Sequence, residues 1–294
     1  VPSYILSCCS TADVTESFLR ERDIRYVFFN YELDGEQCKD DFGQTHSPAD
    51  LFARMEAGAK TQTSQVSVGD YMAFWRPFLA GGQDVLHVTL SSGISGTHNS
   101  ACIARDRIAR EFPGRRVVVV DSLAASSGYG LLMDRLAELR ESGMGLGELA
   151  AWAERHKREV QHWFFSSDLS FFIRGGRISK TAGFFGHVLR ICPVMNVAPD
   201  GSLAVCEKIR TKRKAERRVL EHMTELAQGG SDYRGKVFIS NSACLEDARD
   251  VAKLIEGQFR RMDGRVRHFD IGATIGCHTG PGTVATFFWG KRRA

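Results

Sequence analysis

No run of about 18 consecutive apolar residues occurs in this chain, so no part of it has the length to cross a bilayer as a helix. No basic stretch followed by an apolar run resembles a signal peptide. The 8 cysteines include no C-x-x-C pair and no His–Cys grouping at zinc spacing. That argues against a zinc module or a thioredoxin-type motif and favours buried free thiols in a reducing, cytoplasmic setting. Cys8 and Cys9 are neighbours on a strand-like run, where side chains point to opposite faces, which argues against a redox pair. There is no G-x-x-x-x-G-K-[ST] loop and no assignable pair of magnesium-binding carboxylates, so kinase chemistry in this chain is not expected. No repeat or low-complexity linker is visible. The composition is 43% hydrophobic, enough to fill a core, and the 294 residues allow one large domain or two ordinary ones.

The net charge of +4 hides an asymmetry. Residues 1–160 carry an excess of Asp and Glu, and residues 161–294 an excess of Lys and Arg. A basic second half suits an acidic partner or ligand.

The first half alternates strand-like and helix-like runs. YILSCC (4–9) reads as a strand, followed by a helix over TADVTESFLRER with Thr11 or Asp13 near its cap. YVFFNYEL (26–33) reads as a second strand ending in the turn Asp34-Gly35. SPADLFARMEAG (47–58) has a Ser cap, a first-turn Pro, helical spacing and a closing Gly; SVGDYMAFWRPFLAGG (67–82) reads as another helix. DVLHVTL (84–90) and RVVVVD (116–121) are further strands. This alternation predicts an α/β domain over 1–160 with a mainly parallel sheet and helices on both faces. Ligands on such sheets sit at the carboxyl ends of the strands.

After a helix at 147–160 the pattern changes. HWFFSS (162–167) is a strand, and CPVMNVAPDGSLAVCEKI (192–209) reads as an antiparallel hairpin about a Pro-Asp-Gly turn. Helix, strand (236–241), helix and strand (265–272) follow. Residues 161–294 are therefore expected to form an α+β domain with a partly antiparallel sheet.

Four segments carry candidate chemistry: Thr61 to Gln65, polar between two helices; Ser91-Ser92-Gly93-Ile94-Ser95-Gly96-Thr97, between a strand and the helix from His98 to Phe112; Gly175-Gly176-Arg177-Ile178; and Gly276-Cys277-His278-Thr279-Gly280-Pro281-Gly282. In the second, glycines let backbone approach a ligand, hydroxyls donate, and the helix start offers free N–H groups. That is a site for a carboxylate or phosphate. A capped helix start needs the same residues, so the segment by itself does not separate the two readings. His278 is read as held in a rigid Gly-Pro-Gly turn, and Arg177 as a turn-stabilising arginine.

Taken in order, TSQ (63–65), SSGISGT (91–97), LSFFIRGGRIS (169–179), ICPVMNVAPDG (191–201), KIRTKRKA (208–215) and GCHTGPG (276–282) closely resemble the DegV family, whose members include the FakB fatty-acid-binding subunits of bacterial fatty acid kinase. The resemblance spans essentially the whole chain. It implies two α/β domains with a lipid tunnel near their junction, no catalysis and no cofactor. It also implies a long-chain fatty acid (such as palmitate, stearate or oleate) held by its carboxylate. The matching head-group positions are Thr63, Ser95 and His278, with Ser92, Gly96 and Ser64 as secondary candidates. Phe171, Phe172, Phe184 and Phe185 are the expected tunnel lining. Arg210-Thr211-Lys212 matches the segment implicated in docking the kinase subunit, which makes Arg210 and Lys212 the partner-docking candidates. The family's first strand usually ends in an Asp-Ser-Thr-type sequence; here it reads Cys9-Ser10-Thr11, and no role is carried over to that position.

Three alternatives stand beside this reading: a serine hydrolase, a nucleic-acid binder, and a tunnel that holds another amphiphile, since neither chain length nor unsaturation is fixed by the sequence. Gly93-Ile94-Ser95-Gly96-Thr97 resembles a nucleophile elbow with Thr in its last position, and Ser95 with His278 would serve a serine hydrolase, although no third acidic member can be assigned. The basic stretch Lys208 to Arg218 could bind nucleic acid, but no aromatic residue is interleaved for base stacking, so no nucleic-acid partner is expected.

Overall fold

The computed structural model describes residues 4–179 and 191–294. The chain enters as β1 (Tyr4–Cys9), every residue of which is buried, and passes through a 3-10 turn to α1 (Glu16–Glu21). The cap of α1 is Thr15, whose side chain accepts from the Phe18 N–H at 3.1 Å; it is neither Thr11 nor Asp13. Asp13 cannot cap because it ends the 3-10 turn in the left-handed region, at φ 44°.

The run read as one strand over 26–33 is two: β2 (Ile24–Val27) and β3 (Asn30–Leu33). β2 joins β1, while β3 forms a hairpin with β4 (Glu36–Lys39) across the Asp34-Gly35 turn. α2 (Pro48–Glu56) starts on the Ser47 cap with Pro at its first turn. β5 (Thr61–Ser64) then pairs with the other edge of β3, so the polar 61–65 segment is a strand of a small antiparallel sheet, ordered β4-β3-β5.

α3 (Val68–Ala80), with a Ser67/Asp70 capping box, leads to β6 (Asp84–Thr89), α4 (Thr97–Glu111) and β7 (Val117–Asp121). β2-β1-β6-β7 is an all-parallel sheet with helices on both faces. α5 (Ser126–Glu141) is buried over most of its length. Its Tyr129 hydroxyl donates to the Val88 carbonyl and accepts from the Cys9 N–H at 3.0 Å, both near the carboxyl ends of central strands.

α6 (Leu146–His156) precedes β8 (Val160–Ser166), α7 (Ser170–Arg174), the antiparallel hairpin β9 (Cys192–Val197) and β10 (Leu203–Ile209), and α8 (Lys212–Leu226). β11 (Val237–Asn241), α9 (Leu245–Gln258), β12 (Arg267–Asp270), α10 (Ala273–Thr279) and β13 (Thr283–Trp289) complete the chain. The second sheet runs β10-β9-β8-β13-β11-β12 and is antiparallel except for β11 with β12. α5 packs on its β8, β11 and β13 strands. One apolar cluster therefore runs from Leu6 and Leu86 of the parallel sheet through Leu132 of α5 to Phe238 and Phe287 of the mixed sheet. Burial at about 25 cal/mol per Å2 of apolar surface is what clamps the two sheets together.

Candidate functional site

The carboxyl end of β6 supplies the first wall. The chain leaves the strand at Leu90, and the Ser91 hydroxyl donates to the Gly201 carbonyl at 2.8 Å, in the β9–β10 turn. Backbone meets backbone here: a Cβ on Gly93 would fall 2.4 Å from the Gly201 carbonyl carbon, so only glycine fits. This anchors the Ser95 loop to the second sheet. Ser95 Oγ accepts from the Thr97 N–H at 3.2 Å, which leaves its own proton for a ligand at the start of α4. Gly96 is likewise tight, with Gln65 Oε1 2.3 Å from any added Cβ, while Gln65 Nε2 donates to Ser100 Oγ at 2.8 Å.

α10 supplies the second wall. Its first N–H groups are capped from far away by Asp40, which accepts from Ala273 N at 3.1 Å and Thr274 N at 3.2 Å. Gly276 lets the helix lie against Phe52, whose Cζ would be 2.9 Å from a Cβ. His278 therefore sits in the last turn of a short helix, not in a Gly-Pro-Gly turn. Its Nε2 lies 2.7 Å from Thr63 Oγ1 on β5. Burial, and then the nearby Arg177 guanidinium, push the imidazole pKa down to about 4, so the ring is neutral near pH 7. A neutral ring that gives its Nε2 proton to Thr63 leaves the Thr63 hydroxyl free to donate onward.

Arg177 follows the α7 turn, where Gly176 takes a φ of 71°. Its Nε donates to the Ile94 carbonyl at 3.2 Å, so it both braces a turn and ties that turn to the Ser95 loop. Thr63, Ser95, Gly96, Arg177 and His278 line one cavity of about 190 Å3. The rest of its wall is largely apolar, including Phe29, Phe164, Phe172, Val197, Leu203 and Phe287. Buried His162 also faces it. Its Nδ1 is 3.1 Å from the Val160 carbonyl and its Nε2 accepts from Ala125 N, while burial holds the ring neutral.

Of the residues singled out from sequence, Thr63, Ser95, Gly96, His278 and Phe172 meet at this cavity. Ser92 is exposed and holds Asp121 Oδ1 through its backbone N–H at 3.1 Å. Ser64 is exposed, since strand alternation turns it away from the face that carries Thr63. Phe171 lies under Gly280, which a Cβ would bring to 2.2 Å from its ring, rather than along the cavity. Phe184 and Phe185 lie outside the described residues. Arg210 is exposed just before α8, and Lys212 on its first turn pairs with Asp247 Oδ2 at 2.6 Å. Sequence reasoning did not place Arg177, Gln65, His162, Ser126 or Thr283 at the site. For Arg177 the signal was present in the Gly-Gly-Arg turn after Phe171-Phe172. Gln65 lies in the singled-out 61–65 segment without an assigned role, Ser126 begins α5 itself, and for His162 and Thr283 the signal required knowing which strands face α5.

The model of the family described as "Uncharacterised protein, DegV family" matches residues 9–291. The chain belongs to the DegV family. A DegV domain-containing protein of Clostridium perfringens is 30% identical over 290 residues, covering 99% of this chain and 98% of the relative. One from Lactococcus lactis is 33% identical over 279 residues, covering 95% and 94%. Among solved structures, a DegV family protein from Thermus thermophilus, titled for its fatty acid binding, superposes with a TM-score of 0.85 at 28% identity, covering 98% of this chain and 99% of that one. A DegV lipid-binding protein from Thermotoga maritima gives 0.82 at 25% identity, covering 99% and 100%. The Streptococcus pneumoniae Fatty Acid Kinase (Fak) B3 protein, loaded with linoleic acid, gives 0.83 at 18% identity, covering 98% of this chain and 99% of that one, and shows the same DegV fold.

Proposed function

We propose that this DegV protein binds one long-chain fatty acid, with the carboxylate at Thr63, Ser95 and His278 and the acyl chain in the apolar cavity, and presents it to a separate fatty acid kinase subunit. The observation that carries the reading is the Thr63–His278 contact of 2.7 Å opening on the cavity that Ser95 also lines. Two hydroxyl donors, a helix N-terminus and the Arg177 charge all favour an anionic oxygen group there. Each donor to a carboxylate contributes about 1.5–3 kcal/mol, mostly against desolvation. An acyl chain adds about 0.8 kcal/mol per buried methylene, roughly 11–13 kcal/mol gross for 14–16 of them. Tail burial thus supplies affinity and the polar trio selects an acid head. The cavity volume of about 190 Å3 lies below the usual range for ligand pockets, roughly 300–1,000 Å3. A chain of that length enters by rearrangement of the apolar wall.

The geometry speaks against hydrolysis. His278 Nε2 is engaged with Thr63, its Nδ1 has no partner among the described residues, and its low basicity suits donation better than proton abstraction. Exposed Arg210, Arg213, Lys214 and Arg217 at the start of α8 supply a basic surface for an acidic kinase subunit. No helix among the described residues is long and apolar enough to cross a membrane, and a cytoplasmic setting fits the free thiols.

The test is mass spectrometry of an organic extract from natively purified protein, paired with titration by oleate and by methyl oleate. One fatty acid per chain, and preference for the acid over the ester, is the expected result. Absence of lipid together with no saturable oleate binding sinks the reading, as does labelling of Ser95 by a fluorophosphonate.

A further inference from the structure

A second constellation lies on the same small sheet, apart from the cavity. Glu36 and Cys38 are two residues apart on β4, so both side chains stand on one face. His46 reaches them from the loop that precedes α2. A carboxylate oxygen of Glu36, the Sγ of Cys38 and a ring nitrogen of His46 all lie within 4.8 Å of one another. The imidazole is already oriented, because its Nδ1 is 3.2 Å from Asp50 Oδ2 on the first turn of α2. Asp50 therefore holds the Nδ1 proton and leaves a lone pair on Nε2. That Nε2 is buried and has no hydrogen-bond partner among the described residues, although the side chain as a whole is 15% exposed. A buried imidazole acceptor with nothing to accept from is a cost in a purely structural role. It is the usual state of a metal-binding histidine whose other nitrogen is held by a carboxylate.

We propose that Glu36, Cys38 and His46 form a binding site for a divalent transition ion, zinc by donor chemistry, with Asp50 as the positioning residue behind His46. Sulfur and nitrogen donors exclude calcium and magnesium, which take oxygen ligands. Thiolate, imidazole and carboxylate together suit zinc, with a water completing the tetrahedron. Zinc–ligand distances of about 2.0–2.3 Å require the donors to close by roughly 1 Å. Glu36, exposed at the hairpin end, can make that movement. Binding releases the Cys38 thiol proton to solvent as the sulfur–metal bond forms. The ion would tie the β3–β4 hairpin to the loop leading into α2. Chain spacing hides the site, since Cys38 and His46 follow no zinc-finger interval. The inference is independent of the fatty-acid reading.

The full, reduced chain is stripped of metal and titrated with Zn(II) against a chromophoric chelator, and separately with Co(II). One site per chain is expected, with a sulfur-to-cobalt charge-transfer band, and a rise in melting temperature on adding zinc. His46→Ala and Cys38→Ser abolish the stoichiometric site and the band. Asp50→Asn weakens zinc about 10–100-fold, the usual loss for an outer partner. Cys206→Ser, which alters an exposed thiol, leaves all three readouts unchanged. If Cys38→Ser does not fold, Glu36→Gln and His46→Gln carry the comparison, with melting measured in the absence of metal. No stoichiometric site in the wild-type chain, or a site that survives His46→Ala unchanged, overturns the proposal.

Discussion

Gly175 backs directly onto the ring of His278: a Cβ there would fall 2.3 Å from Nδ1. The glycine turn after α7 is thus shaped around the imidazole, and the Thr63–His278 hydrogen bond depends on a residue that touches no ligand. Gly175→Ala must push the ring away from Thr63 or distort the turn. Overpacking of this kind costs about 1–3 kcal/mol. Fatty acid affinity is expected to fall about tenfold in a displacement titration, and a Gly175→Ala protein that binds oleate as well as wild type would separate His278 from head-group binding.

The depressed pKa of His278 has a measurable sign. It titrates at about 4 in the folded chain and near 6.5 when unfolded. Between those values the unfolded chain holds more protons, so stability is full above about pH 6.5 and is lost as pH falls toward 4. From pH 7 to pH 5 this residue accounts for a loss of about 2 kcal/mol. His87 and His162 are also held neutral by burial and add losses of the same sign. Urea denaturation of wild type and His278→Gln at both pH values isolates one contribution: the variant is expected to lose less stability than wild type over that interval.

Much of this site was legible because its parts are local. The Ser47 and Ser67 caps, the strand read over 84–90 (observed as Asp84–Thr89) and the Pro-Asp-Gly turn before Ser202 each depend on a few neighbouring residues, and each is found in place. What failed was non-local. Residues 26–33 look like one strand because apolar periodicity does not register a change of sheet between Val27 and Asn30. Gly276 looks like a turn residue, yet it exists to admit the Phe52 ring against α10, a contact across more than two hundred residues. Asp40 capping α10 is equally invisible in sequence, because the cap lies so far from its helix. The approach of Thr63 and His278 could be expected from family resemblance alone.

Removing single hydroxyls tests the head-group assignment more sharply than removing the histidine. Thr63→Val keeps the shape and deletes the donor; Ser95→Ala deletes a donor that also caps Thr97 N. A hydrogen bond to a charged group is worth about 1.5–3 kcal/mol, which corresponds to roughly 10–100-fold in affinity. Oleate binding should weaken by that factor in each variant, while methyl oleate binding barely changes. Equal losses for acid and ester would place Thr63 and Ser95 along the tail instead.

Asp13 makes a final, opposite pH prediction. It is buried behind the cavity wall, where its Oδ2 accepts from the Ser126 hydroxyl at 2.5 Å. Burial drives its pKa well above the ordinary carboxylate value, and nearby Asp40 adds to the rise. The folded state therefore holds a proton that the unfolded chain has released, and stability declines as pH rises above about 4 until the folded pKa is passed. Asp13→Asn keeps the acceptor for Ser126, cannot ionise, and offers an amide on the side of Asp40. The variant should match wild type near pH 4 and exceed it increasingly toward pH 7.5 in urea denaturation. A variant that is less stable than wild type across that whole range would mean that the Asp13 charge is compensated by a partner, and that this wall is ionic and not neutral.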